Sequence, residues 1–131
     1  MRPLLRWCCL LPNLPGLLGM SASMRLLMDV GIERVSSRIT GLRALLRDGA
    51  AELGYEVYSE PPEGAVSGIL TLFHGAQDLP RVAGRLAEGG IRASLRQDRS
   101  GRPLLRFSPH FYNTEAEVGR VLEVLARVGD R

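Results

Sequence analysis

Apolar positions along the first half of the chain recur at the spacing of a helix. Leu17, Leu18, Met24, Leu27 and Met28 fall on one stripe, and Gly31 breaks the pattern after them. A second stripe runs through Ile32, Val35, Ile39, Leu42, Leu46 and Leu53. Glu33, Arg34, Arg38, Arg43 and Arg47 lie largely off it, and Gly54 is a natural C-terminal stop. The period then changes to two. Tyr55-Glu56-Val57-Tyr58 alternates as a short half-exposed strand does, and Pro61-Pro62-Glu63-Gly64 punctuates the chain. Residues 66–74 show little polar alternation and predict a longer, central strand covered on both faces.

In the second half, Asp78 is positioned to cap a helix that turns Leu79, Val82, Ala83 and Leu86 to one side. Pro80 sits in its first turn and Gly89-Gly90 at its end. Residues 91–96 and 104–108 read as strands flanking Asp98-Arg99-Ser100-Gly101, a loop with hairpin chemistry. Thr114 followed by Glu117 forms a capping box ahead of Val118, Val121, Leu122 and Leu125, so a last helix is expected to run to about Val128. The order α-α-β-β-α-β-β-α predicts an α+β fold, with helices packed on one face of a small, mainly antiparallel sheet.

At 131 residues the chain has the size of one ordinary domain, and 45% hydrophobic with 24% charged residues is the balance of a packed, soluble protein. The net charge of +3 is spread among Glu and Asp partners, and aromatic residues make up only 5%. A nucleic-acid partner, which calls for a basic stripe interleaved with exposed aromatics, is therefore not expected. Cys8 and Cys9 are adjacent and supply neither a disulfide framework nor a metal-ligand spacing, and His74 has no second ligand at a suitable distance, so no metal site is expected. Residues 1–19 are apolar with Arg2 near their start, the outline of a signal peptide, but Arg6 and the prolines interrupt that apolar core. A cytoplasmic location without membrane insertion is the expectation. All 17 residues of the Lys+Arg count are arginines. Arginine stays protonated and cannot act as the amine nucleophile of Schiff-base chemistry, as a desolvated lysine can.

The most unusual stretch is Leu104-Leu105-Arg106-Phe107-Ser108-Pro109-His110-Phe111-Tyr112-Asn113-Thr114, in which a lone arginine sits among bulky apolar residues. If the hairpin pairs symmetrically about its turn, Arg106 shares a face with Leu104 and Ala93. Its guanidinium then emerges from a partly apolar surface and calls for a counter-charge. Spacing leaves two outcomes open: Arg106 pairs with an acid of this chain or snorkels to water, or it takes an external carboxylate.

This stretch resembles the C-terminal strand-and-helix signature of class V aminotransferases and their cysteine-desulfurase relatives, pyridoxal-phosphate-dependent enzymes of fold type I. In that signature an arginine, a hydrophobe and a serine are followed by Tyr-Asn-Thr and an acidic helix start. The likeness extends through Ser94-Leu95-Arg96, Ser67-Gly68-Ile69 and Asn13-Leu14-Pro15-Gly16 with the following Ala22-Ser23-Met24, and covers most of residues 13–128. It implies that residues 13–131 are the C-terminal small domain of such an enzyme and that residues 1–12 are an unmatched segment, with Leu10 and Leu11 where the family places a Gly-Thr pair. It further implies that Arg106 binds the α-carboxylate of an amino-acid substrate. His110 and Asn13 are secondary candidates, and no catalytic residue is expected in this chain. By residue type alone, His110 reads as a loop histidine satisfied by backbone or water, Phe111 and Tyr112 as packing around the last helix, and Asn113 as shaping the turn. Arg96, Arg99 and Arg102 read as solvated charge near the hairpin.

The family carries its Schiff-base lysine in a larger N-terminal domain, so the resemblance implies that this chain binds no pyridoxal phosphate covalently and catalyses nothing alone. It would act with a large cofactor-binding domain on another chain, or as a homodimer. The cysteine a desulfurase needs ahead of the arginine strand has no counterpart here. Two other readings stand beside this one: a non-enzymatic α/β module binding an amino acid or partner protein, and a truncated gene fragment without function.

Overall fold

The computed structural model describes residues 13–63, 65 and 67–129; residues 1–12, with Cys8 and Cys9, and positions 64, 66, 130 and 131 lie outside the described residues. The elements are α1 (Leu14–Val30), α2 (Ile32–Glu52), β1 (Glu56–Val57), β2 (Leu70–Phe73), α3 (Leu79–Glu88), β3 (Ser94–Gln97), β4 (Pro103–Phe107) and α4 (Glu115–Gly129). That is the α+β order the hydrophobic pattern predicts. Two compact units divide between Arg34 and Val35. Among the described residues no helix is long and apolar enough to cross a membrane.

In the first unit, Asn13 caps α1: its Oδ1 accepts the Gly16 N–H at 3.1 Å, meeting one of the donors a helix start leaves unpaired. Gly31 ends the helix at φ +91°, a backbone value open to glycine, and its N–H donates to the Leu27 carbonyl. α1 has no buried residue, so the stripe of Leu17, Leu18, Met24 and Met28 stands exposed and only Leu27 of it is half-buried.

In the second unit, α2 and α3 end alike. The N–H groups of Tyr55 and Ile91 reach back to the carbonyls of Ala50 and Leu86, and Gly54 and Gly90 take the positive φ that this closure needs. Because α3 closes this way, residues 91–93 are spent on leaving the helix and β3 begins only at Ser94, later than the sequence pattern suggests. Asp78 caps α3 through Arg81 N–H, and Glu117 and Thr114 close the predicted box at the head of α4.

The sheet runs β1-β2-β4-β3 with every neighbouring pair antiparallel. The chain leaves β2, crosses through α3 to the far edge strand β3, and returns through the hairpin to insert β4 between them. Leu70 and Leu72 of β2 and Leu105 and Phe107 of β4 lie on one face. There they meet Leu42, Leu46 and Ala50 of α2, Leu79, Val82 and Leu86 of α3, and Val118, Val121 and Leu125 of α4. Gly49 lets α2 approach α4, since a Cβ there would collide with the Leu122 side chain.

Two expectations are corrected here. The strand expected over residues 66–74 is Leu70–Phe73, and it alternates buried with half-buried positions. Ser67 Oγ accepts the Ile69 N–H at 3.1 Å and takes it out of the ladder, while His74 Nδ1 accepts the N–H groups of Ala76 and Gln77 and turns the chain away. Arg43, expected on the outer face of α2, is 7% exposed. Its Nε donates to the Ile69 carbonyl at 3.1 Å and its Nη2 to Glu60 Oε2 at 2.6 Å, so the guanidinium pins the start of β2 and the preceding loop to α2. At the other end of this loop region Tyr55 is buried, its hydroxyl donating to Gln77 Oε1 and its pKa pushed up to about 12 by burial.

Replacing Arg43 strands the Ile69 carbonyl and leaves Glu60 unpaired. Arg43→Met is expected to lower unfolding free energy by about 1–3 kcal/mol, whereas Glu60→Gln, at a half-exposed position, costs less than about 1 kcal/mol. Urea denaturation of the two variants and the double mutant measures both terms; equal costs would show that the carbonyl contact contributes nothing.

Candidate functional site

Arg106 lies near the end of β4, an interior strand, and side-chain alternation sets its direction. Because Leu105 and Phe107 enter the core, Leu104 and Arg106 face the other side of the sheet, the side that α2, α3 and α4 do not cover. Directly opposite Arg106 are Thr71 on β2 and Ser94 on β3.

This pairing differs by one residue from the symmetric hairpin, which would put Ala93 there. The turn itself makes the difference. Asp98 N–H donates to the Arg102 carbonyl and Gly101 N–H to the Asp98 carbonyl, while Asp98 Oδ1 accepts the N–H groups of Ser100 and Arg102 and the Ser100 hydroxyl. Gly101 takes φ +84°, and the loop spans five residues between Gln97 and Pro103. A one-residue shift exchanges faces. Ala93 turns to the core, against which it packs, and Ser94 turns to Arg106.

Spacing left the counter-charge of Arg106 open, and no carboxylate among the described residues pairs with it. Its Nε is buried and has no hydrogen-bond partner, a position shared by no other described side-chain nitrogen or oxygen. Stranding such a donor costs on the order of 1–3 kcal/mol. The hairpin acid Asp98 is already engaged: its Oδ2 lies 3.6 Å from Arg102 Nε, and the Arg102 guanidinium stacks over Phe73 at 4.7 Å from the ring centre. Arg96 and Arg99 are exposed, as expected of solvated charge.

The loop from Ser108 to the head of α4 is shaped by Asn113, whose Oδ1 accepts the His110 N–H at 2.7 Å while its own N–H donates to the His110 carbonyl. Arg38 ties this turn to α2, donating to the Asn113 carbonyl and to Glu115. The His110 ring stacks on Tyr112 with centroids 4.3 Å apart and lies 4.6 Å from the Phe111 ring. Tyr112 is 71% exposed, so it does not pack around the last helix as expected; it forms an aromatic surface with His110. No hydrogen bond links His110 to Arg106. Asn13 belongs to the first unit, where capping α1 accounts for its side chain. Among the described residues no group of His, Cys, Asp and Glu could hold a metal ion.

A groove of about 410 Å³ opens at the carboxyl end of β4, lined among others by Leu46, Ile91, Arg92, Phe107, Tyr112 and Val121. Phe107 is on the helix side, so this groove and Arg106 lie on opposite faces of the sheet. Sequence reasoning missed the groove because its walls come from four separated segments with no shared motif.

No family model matches the sequence, and no curated protein matches it. The fold is similar to that of solved structures. A cysteine desulfurase from Thermococcus onnurineus NA1 gives a TM-score of 0.78 at 22% identity over 88% of this chain and 31% of that one. The cysteine desulfurase CsdA from Escherichia coli gives 0.78 at 24% identity over 90% and 31%. Serine palmitoyltransferase from Sphingomonas wittichii gives 0.63 at 22% identity over 82% and 27%. The likeness is one of fold, and the chain spans about a third of the length of the desulfurases it matches.

Two carboxylates near the site have pKa values held below their ordinary range. Asp98 is lowered by the Ser100 hydroxyl and further by the backbone N–H groups of Arg102 and Ser100. Glu117 is lowered by the Thr114 N–H and then by the Asn113 side chain. A folded-state pKa below the unfolded one gives stability that is complete above the ordinary carboxylate range and is lost as pH falls through the folded value. Melting temperature is therefore expected to decline on acidification below that range. The decline should be shallower in Glu117→Gln, and thermal melts from pH 7 to pH 2 that superimpose for the two proteins would contradict it.

Proposed function

We propose that residues 13–131 act as the substrate-carboxylate-binding small domain of a pyridoxal-phosphate-dependent, class V aminotransferase-like enzyme. Arg106 holds the α-carboxylate of an amino acid, and a large cofactor-binding domain is supplied by a partner. The observation that carries this reading is the buried, unpartnered Nε of Arg106 on the sheet face away from the helices. A guanidinium presents its donors in a planar fork that matches a carboxylate, and an ionised acceptor is the partner that best offsets a desolvated donor. The sequence resemblance around residues 104–114 and the fold likeness to cysteine desulfurases support the same reading.

The residues fit the acid group of a substrate but do not fit covalent capture of the cofactor, because the sequence contains no lysine. In this proposal the chain recognises and orients, and by itself performs no transamination or sulfur transfer.

Adding pyridoxal phosphate to the purified chain is expected to give no aldimine absorbance that borohydride fixes to a side chain. Titrating L-alanine is expected to shift the Arg106 Nε–H resonance, and Arg106→Gln should weaken binding by about tenfold or more. An aldimine on a side chain, or L-alanine binding equally to Arg106→Gln, would overturn the proposal.

A second reading, a module that associates through an apolar helix, is favoured by one observation. Every leucine and methionine of α1 except the half-buried Leu27 is exposed, with Leu18 at 71% and Met28 at 76%, and such surface favours association. On this reading sedimentation reports concentration-dependent self-association that Leu18→Glu with Met28→Glu abolishes; a monomer at high concentration contradicts it.

A further inference from the structure

Arg106 is not the only cation that the register directs to this face. Arg96 on β3 stands opposite Leu104 on β4, and Arg106 on β4 stands opposite Ser94 on β3. Directly paired residues share a face, so Arg96, Leu104, Ser94 and Arg106 lie on the same side of the sheet. The two arginines are then diagonal neighbours, about 7–8 Å apart along the diagonal, a separation that long side chains bridge. Had the hairpin paired symmetrically, Arg96 would lie on the other face, against the core.

Neither cation is neutralised from within. Among the described residues no ion pair includes Arg96 or Arg106, and Arg106 Nε has no partner at all. Asp98, the acid nearest in sequence, is held by Arg102 and by three bonds inside its own turn. Glu56 is on the same face, opposite Phe73, but on β1, two strands from β4 and three from β3, and so about 10 Å across the sheet from Arg106 and about 14 Å from Arg96 by strand spacing. Leu104, buried between the arginines, gives the pair an apolar floor.

We infer that Arg96 supplies a second anion-binding point beside Arg106, so that the open sheet face prefers an amino acid bearing a second carboxylate over one with a single acid group. The inference rests on the proposed role of Arg106 and adds the substrate class. Arg106 takes one carboxylate in a desolvated setting, and exposed Arg96 meets the other. The contribution of Arg96 is accordingly smaller and more sensitive to salt.

Titration of the full chain with L-alanine, L-aspartate and L-glutamate, followed by the arginine Nε–H resonances at low ionic strength, tests this. L-aspartate or L-glutamate is expected to bind about fivefold more tightly than L-alanine, the advantage of one additional exposed ion pair, and added salt should shrink it. Arg96→Gln should remove that advantage while leaving L-alanine affinity unchanged, and Arg106→Gln should weaken all three ligands. Equal affinities for L-alanine and the dicarboxylic amino acids would overturn the role of Arg96 and leave that of Arg106 standing. So would an acidic-ligand advantage that survives Arg96→Gln. Failure of all three to bind would overturn both.

Discussion

Strand β4 can give Leu105 and Phe107 to the core only by turning Leu104 and Arg106 to the opposite face, and the arrangement of the site follows from that constraint. Because β4 is an interior strand, ladders to β2 and β3 engage its backbone on both sides. A guanidinium rooted there has little nearby backbone to bond. Arg43 meets the opposite circumstances. It reaches from a helix to the Ile69 carbonyl, just ahead of β2, and to Glu60 in the loop. The same side-chain type thus becomes a structural fastener beside a strand end and an unpaired cation inside the sheet.

Helix ends were legible in the sequence because their signals are local. Asp78, the Thr114 and Glu117 box, Gly54 and Gly90 each act within one turn of chain, and each does in the structure what its residue type predicts. Strand limits were less so, because they depend on side chains elsewhere. Whether β2 starts at position 66 or 70 turns on Ser67 taking the Ile69 N–H and Arg43, more than twenty residues earlier, taking its carbonyl. Reading a helix by its hydrophobic stripe counts every arginine as outward, and that is why Arg43 escaped notice.

The candidate site was legible at one residue and not at its neighbours. Arg106 stands out as a charge within an apolar strand, and that much needs only the sequence. Which residues share its face depends on a hairpin register, and the register depends on Asp98 gathering the donors of Ser100 and Arg102 into a five-residue turn. A four-residue loop drawn from the same letters would exchange Ser94 for Ala93 and remove Arg96 from the face. Composition cannot distinguish the two, because they use the same residues and differ only in where the turn closes.

An arginine held on a strand rather than a loop has its direction fixed before any ligand arrives, so binding orders little that was not already ordered. The cost of its stranded Nε is carried by the folded chain alone, since in the unfolded chain water serves that donor. A carboxylate that relieves this cost binds the native state and not the unfolded one, which couples occupancy of the face to stability of the sheet. A lysine at this position would offer a point charge without the planar fork, and would add the nucleophilic amine that this sequence otherwise excludes. On the proposed role of Arg106, an all-arginine set of cations would separate gripping an acid group from reacting with a carbonyl.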